Sequence, residues 1–378
     1  MVAADKPTLE DPRAPYKKFT YGGLRAQAAV GAAALKERYH FYRLSVGNRI
    51  DAEIGDKSRP DEKWDIIAEI PDLTGKVAIV TGANSPQGIG YHIAHQLAIK
   101  GARVYVGARS TEKSQNAIDG MLQSTLSLDS ERLVLLAMDL NDFQQVQNTA
   151  RGILEREERL DILVNNATRM SMPLHKDQHG ISISFGTNFL GPYLFTTELL
   201  PLLKKTARLT PGVRIINVSS RVHLALPTGI RFNSLDDFNR DFGSEDDHQS
   251  NRLRYGLSKL AMVLFSKEIQ RRANEEGIPL LAMSMHPGGV RTDGVTKYFG
   301  ESNERLKDLL TPLDGALTPL FAAAHPLPFI ERERYGGAYL VPFGGIGDTS
   351  QDGENERLAK DMWGTSERVL QDVLNPDP

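Results

Sequence analysis

An apolar run, Val77 to Val80, passes directly into the turn Thr81-Gly82-Ala83-Asn84-Ser85-Pro86-Gln87-Gly88-Ile89-Gly90, and Tyr91 to Lys100 then carries the pattern of a helix. A strand, a glycine-rich turn and a helix N-terminus in that order let backbone N–H groups approach a pyrophosphate, whose charge the helix dipole favours. Glycine serves where a Cβ would collide. A glycine cluster alone marks only a turn, so its place between strand and helix is what points to a dinucleotide. Gly82, Asn84, Ser85, Gly88, Ile89 and Gly90 are the expected contacts.

The rest of the chain supports a fold of that kind. From Lys76 onward short apolar runs alternate with helix-length segments: Val77 to Val80, Arg103 to Val106, Leu133 to Met138, Ile162 to Val164, Val213 to Val218, Leu280 to Met285 and Ala338 to Val341. Continuous apolar strands of this length suit a sheet buried on both faces. The pattern predicts an α/β, Rossmann-type doubly wound parallel sheet with helices on both faces, formed as one domain by residues 73–378.

Residues 1–72 read as an N-terminal helical extension. A charged, proline-containing segment, Asp5 to Lys18, precedes an amphipathic helix in which Leu24, Ala28, Leu35, Tyr39, Tyr42 and Val46 recur at close to helical spacing. Asp51 to Asp65 reads as a connector. Packing on the main domain or on a twin subunit in a homodimer is the expectation for the helix, with peripheral membrane contact through residues 22–46 as the alternative. Its longest uncharged stretch, Ala26 to Leu35, has 10 residues, about half of the ~20 that cross a bilayer. No transmembrane segment is expected.

Composition narrows the function. With 40% hydrophobic and 25% charged residues the chain can build a core, and its formal charge of -3 gives no field for neutralising nucleic-acid phosphates. The absence of cysteine excludes disulfides, Cys-based metal sites and a thiol nucleophile. A reducing, cytoplasmic setting fits. The pairs His92 with His95 and His175 with His179 have helical spacing but no obvious carboxylate completion, so no metal site is expected.

The segment with the most chemistry is Tyr255-Gly256-Leu257-Ser258-Lys259, where Tyr and Lys at i and i+4 share one helix face. Hydride delivery to a carbonyl carbon leaves charge on oxygen, which a phenol acting as general acid neutralises. A nearby ammonium favours the phenolate and is expected to lower the phenol's pKa. Alone, a Tyr with a Lys four residues later is commonplace.

The segments in their order resemble the short-chain dehydrogenase/reductase family from Leu73 to the C-terminal region. The family turn T-G-x-x-x-G-x-G is lengthened here by Pro86 and Gln87. Met138-Asp139-Leu140 resembles the segment beside the adenine, and Asn165-Asn166-Ala167 resembles N-N-A-G with Thr168 in place of glycine. Thr187-Asn188-Phe189, Val218-Ser219-Ser220 and His286-Pro287-Gly288-Gly289-Val290-Arg291-Thr292 match further family segments. The resemblance implies that Ser220 hydrogen-bonds the reacting oxygen, that Asn188 bends its helix and supports a proton relay to Lys259, and that Lys259 also holds the nicotinamide ribose. It further implies cofactor contacts from Asp139, Asn166, Pro287, Gly288, Val290 and Thr292.

The long segment between Ser220 and Tyr255, with His223 just after the serine, is most similar to retinol-dehydrogenase-like members, and the lengthened turn to fungal reductases. These likenesses imply a small hydrophobic carbonyl or alcohol substrate and a place in secondary metabolism. The acids Asp236, Asp237, Asp241, Glu245, Asp246 and Asp247 suggest a solvated flap. The loop after Thr292, with Lys297, Tyr298 and Phe299, is expected to act as a lid.

Cofactor choice is read from Val104-Tyr105-Val106-Gly107-Ala108-Arg109-Ser110. An acid about twenty residues beyond the glycines would bind a ribose 2′-OH, but Ala108 stands there, followed by Arg109 and Ser110. A guanidinium and a hydroxyl suit a 2′-phosphate, so NADP(H) is expected. The sum is an NADPH-dependent reductase, reversible in principle. An isomerase, cyclase or dehydratase without net redox, or a non-catalytic NADPH-binding protein, is the alternative on the same fold.

Overall fold

The computed structural model describes residues 65–375. The extension up to residue 64, with its expected helix and the contact segment 22–46, lies outside the described residues.

All seven expected strands form: β1 (Val77–Thr81), β2 (Arg103–Ala108), β3 (Leu133–Ala137), β4 (Ile162–Asn165), β5 (Arg214–Val218), β6 (Leu281–Met285) and β7 (Tyr339–Val341). They pair in parallel, in the order β3-β2-β1-β4-β5-β6-β7. An eighth strand, β8 (Gly345–Ile346), runs antiparallel beside β7. It has no sequence signature because two residues, one of them glycine, carry no period.

Strand alternation divides the apolar residues between two cores. Val77 and Ile79 of β1 face one, Ala78 and Val80 the other. The main helices are α1 (Ile89–Ile99), α2 (Thr111–Ser124), α3 (Phe143–Arg156), α4 (Gly191–Leu209), α5 (His248–Glu275), α6 (Asp293–Phe299), α7 (Pro312–Ala324) and α8 (Glu356–Leu374). Ile93 of α1, Met121 of α2 and Phe321 of α7 pack on the Ala78 side; Val146 of α3, Leu199 of α4, Leu264 of α5 and Trp363 of α8 pack on the Val77 side. The expected doubly wound fold is therefore present. Sequence order reverses between β1 and β4, which is where such sheets open a crevice for ligands.

Packing extends ahead of the 72/73 division expected from the sequence. Ile66 and Ile70 are buried with Leu73 in the α1 core, and Glu69 meets His325 Nε2 at 2.9 Å. No helix among the described residues is long and apolar enough to cross a membrane.

The segment between Ser220 and Tyr255 differs from the solvated flap expected of it. Phe232 and Phe238 are buried, and Phe238 stacks on Phe185 with ring centroids 4.6 Å apart. Two of its acids cap helices: Asp237 completes a capping box with Ser234, and Asp247 accepts from the Gln249 and Ser250 N–H groups to start α5, while Asp236, Asp241, Glu245 and Asp246 stay exposed. Isolated aromatics among charges have no period to read, so their burial is a tertiary result.

Candidate active site

A cleft of 1420 Å³ opens at the carboxyl ends of the central strands. At its floor, α1 begins with Gly88 as N-cap and no side-chain cap hydrogen bond, whereas Ser110 and Asp142 cap α2 and α3 through their side chains. The first-turn N–H groups of α1 are left for an anion. Gly82, Asn84, Ser85, Gly88 and Ile89 line this part of the cleft. Gly90 does not. A Cβ on Gly90 would stand 2.5 Å from both Asn166 Nδ2 and the Gly82 carbonyl oxygen, so glycine here lets α1 close on the turn after β1 and on the Asn166 side chain that follows β4. Asn166 is held there, its Nδ2 donating to the Thr81 carbonyl oxygen at 2.8 Å. Pro86 and Gln87 project to solvent while the Gly88 N–H donates to the Ser85 carbonyl oxygen at 2.8 Å, so the lengthened turn closes without filling the cradle.

At one end of the cleft stand Arg109, Asp139 and Lys113. Lys113 escaped the sequence reading; its position in the first turn of α2, just past Ser110, was the available signal. Ser110 itself does not line the cleft, its hydroxyl accepting from the Lys113 N–H at 3.3 Å. The donor set, free helix N–H groups plus two exposed cations, fits a phosphorylated dinucleotide.

Ser220, Tyr255 and Lys259 meet near the centre of the cleft. Gly256 makes this meeting feasible: a Cβ there would lie 2.9 Å from the Val222 carbonyl oxygen, so glycine lets the turn after Ser220 rest on α5. Ser219 Oγ donates to the Lys259 carbonyl oxygen at 2.7 Å, and Lys259 Nζ donates to the Val218 carbonyl oxygen at 2.8 Å. Lys259 Nζ stands 5.5 Å from the centre of the Tyr255 ring.

The electrostatics depart from the expected lowering of the phenol. Burial pushes Tyr255 up to about 12, while the hydroxyls of Ser220 and Thr168 beside it pull the other way. Burial also pushes Lys259 down to about 7, so the ammonium that was to stabilise a phenolate is itself destabilised. At neutral pH the tyrosine holds its proton. Thr168 thus joins the site at the position where this chain departs from N-N-A-G.

Asn188 lies beneath the cleft rather than in its lining. It sits in the π-helical turn Gly186–Leu190 that leads into α4, the bend expected of it. Its Oδ1 accepts from the Arg169 N–H at 2.6 Å, and its Nδ2 donates to the Arg169 carbonyl oxygen at 2.9 Å and to Ser258 Oγ at 3.0 Å. Ser258 Oγ in turn donates to the Tyr255 carbonyl oxygen at 2.7 Å. The asparagine side chain ties the loop after β4 to the turn of α5 that carries Tyr255, and none of these bonds reaches Lys259.

Pro287, Gly288, Val290 and Thr292 line the opposite wall, below α6. Between this wall and Tyr255 the lining mixes apolar Met170, Val222, Phe299 and Leu309 with Arg169 and Arg252. His92 and His95 serve the scaffold: His92 Nε2 lies 3.0 Å from the Pro86 carbonyl oxygen and His95 Nε2 3.0 Å from Thr125 Oγ1.

Residues 76–228 match the family model described as short chain dehydrogenase. The chain is 45% identical over 308 residues to a short-chain dehydrogenase/reductase of Armillaria gallica, which covers 79% of this chain and 94% of that protein. It is 34% identical over 314 residues to retinol dehydrogenase 13 of Mus musculus, covering 79% and 84% of the two. Among solved structures, a putative uncharacterized protein from Mycobacterium paratuberculosis superposes with a TM-score of 0.61 at 29% identity, over 82% of this chain and 97% of that one. The NADPH-bound carbonyl reductase from chicken fatty liver shares the fold, with a TM-score of 0.51 at 21% identity over 73% of this chain and all of its own, 100%.

Proposed function

The chain belongs to the short-chain dehydrogenase/reductase family, and on that premise we propose that it is an NADPH-dependent reductase of a ketone or aldehyde carried on a hydrophobic small molecule. The observation that carries the reading is the buried Tyr255 phenol, held protonated with a pKa near 12 and set beside the Ser220 hydroxyl in the cleft. A protonated phenol is the form that reduction needs, because the reacting oxygen gains a proton as it gains charge.

NADPH, when bound along the cleft, supplies the hydride. The uncapped N-terminus of α1 would hold its pyrophosphate, Arg109 and Lys113 its 2′-phosphate, and the Pro287 to Thr292 turn its nicotinamide end. Ser220 orients the carbonyl oxygen by hydrogen bonding. Tyr255 gives its proton to that oxygen. Lys259, in its charged form, favours the phenolate that results. Asn188 is a positioning residue that acts through Ser258. Met170, Val222, Phe299 and Leu309 offer the apolar wall for the substrate body, and the retinol dehydrogenase relative supports an apolar substrate. A cytoplasmic setting completes the reading.

The test is NADPH oxidation by the purified chain with a panel of apolar ketones and aldehydes, beside Tyr255→Phe. Net oxidation that falls about 100-fold or more in the variant supports the reading. Product formed without NADPH consumption would assign non-redox chemistry. NADPH binding with no turnover of any carbonyl would assign a binding protein.

A further inference from the structure

Behind the Ser220 and Tyr255 pair, buried polar atoms gather without partners among the described residues. They are His223 Nε2, His286 Nδ1, Tyr339 Oη and Ser284 Oγ. Each belongs to a side chain in a residue at least nine-tenths buried. Ser284 and Tyr339 are register partners on β6 and β7, and His286 follows Ser284 by two residues, so all three leave the sheet on one face, opposite Met283, Met285 and Leu340. His223 comes to them from the turn after Ser220, its ring edge-on to Tyr339 with centroids 5.0 Å apart.

Buried polar groups are rarely left unmatched, and several orphans in one place mark a ligand or an ordered water. The chemistry of the set selects water. His223 Nδ1 lies 2.6 Å from the Ser220 carbonyl oxygen, which only accepts, so Nδ1 carries the proton and Nε2 is an acceptor in the neutral ring. An anion could not donate to it. Burial holds both rings neutral: it lowers the pKa of His223 and takes that of His286 down to about 3.

We propose that one buried water accepts from the Tyr339 hydroxyl, donates to His223 Nε2 and to His286 Nδ1, and thereby fixes His286 as the tautomer that presents its Nε2–H to the cleft as a hydrogen-bond donor. The water's remaining acceptor position is open to the Ser284 hydroxyl. His286 lines the cleft immediately before Pro287. Its ring links the chamber to the ligand, and the water stitches the turn carrying Ser220 to the turn that opposes it. The group that receives the His286 N–H is a neutral carbonyl oxygen, from the nicotinamide carboxamide or from the substrate. This assignment of a receiver rests on the cofactor reading above; the water and the tautomer do not.

Two measurements on the full chain test it. In a high-resolution crystal structure the wild type is expected to show a water within hydrogen-bonding distance of His223, His286 and Tyr339, and nitrogen NMR at neutral pH to find His286 protonated at Nε2. A dry chamber, or a proton at Nδ1 of His286, overturns the proposal whether or not the protein binds NADPH. For the receiver, His286→Phe is compared with His286→Gln, which restores an N–H near the same place. A loss in NADPH affinity of about 3- to 10-fold in the Phe variant, recovered by Gln, assigns the carboxamide. The same change in the KM of a carbonyl substrate, with NADPH affinity intact, assigns the substrate. Equal values in wild type and Phe variant overturn the donor role. If the wild type binds no NADPH and reduces no carbonyl, the cofactor reading falls and the receiver with it, while the structural arm still decides the water.

Discussion

Ser85 Oγ donates to Asp293 Oδ2 at 2.5 Å, joining the turn that precedes α1 to the first residue of α6, 208 positions later in the chain. At the other end of α6, Tyr298 hydrogen-bonds His248 at the start of α5. The short helix is thus fastened at both ends across the cleft, once to the cradle and once to the helix that carries Tyr255. Ser85 stands immediately before the added Pro86 and Gln87, so the glycine-rich turn itself supplies one of the two fastenings.

From that arrangement, Ser85→Ala is expected to loosen α6. Losing one hydrogen bond worth about 1 kcal/mol shifts a local opening equilibrium by about 5-fold. Limited proteolysis within residues 293–299 should therefore quicken several-fold, with NADPH restoring protection. Cleavage at the wild-type rate would show that the bond does not hold the helix.

Lys259 makes a pH prediction with two readouts. Its ammonium form is populated below about 7, so the reduction rate is expected to fall as pH rises through that value. Lys259→Met should be slower by at least about 10-fold at pH 6 and flat across the same range. Stability moves the other way. Between about 7 and the ordinary value of 10.5 the unfolded lysine binds more protons than the folded one, so this site's contribution to folding rises with pH through that window. Lys259→Met should unfold at higher temperature than wild type at pH 6, with the difference closing toward pH 10. A variant that is less stable at pH 6 would contradict the burial cost assigned to the ammonium.

Arg109 and Lys113 line the same end of the cleft, and each is expected to contribute to NADP(H) selection. A charge-assisted hydrogen bond is worth roughly 1.5 to 3 kcal/mol, so Arg109→Leu should weaken NADPH binding by about 10- to 100-fold and leave NADH nearly unchanged. Lys113→Met should act in the same direction, more weakly because an ammonium makes a single point contact. Calorimetric titration with both cofactors decides this. An unchanged NADPH to NADH ratio in the double variant would remove the 2′-phosphate assignment without touching the fold.

Deleting residues 1–50 is expected to leave NADPH affinity within about 2-fold of the full chain, since among the described residues those lining the cleft run from Thr81 to Leu309. Loss of a soluble fold on deletion would instead show that the extension completes the core.

The sequence by itself determined the strands of the parallel sheet and the helix that carries Tyr255 and Lys259. Seven strands were legible because parallel strands buried on both faces are continuous apolar runs, a local signal. That Tyr255 and Lys259 share one helix face was legible because a helix places i and i+4 together whatever surrounds it. The glycine-rich turn could be read for the same reason: its meaning lies in the strand before it and the helix after it.

What depends on residues distant in the chain was decided by tertiary structure alone. That Gly90 and Asn188 stand outside the cleft lining could not be read from the sequence, because the atoms they meet, on Asn166, Arg169 and Ser258, come from other segments. The segment before α5 looked like a flap until Phe232 and Phe238 found Phe185. The charge states were equally out of reach. The residues alone offer Tyr255 a cationic neighbour and so suggest a lower pKa, but only the folded chain buries both groups, and desolvation leaves the phenol protonated and the amine pushed toward neutrality.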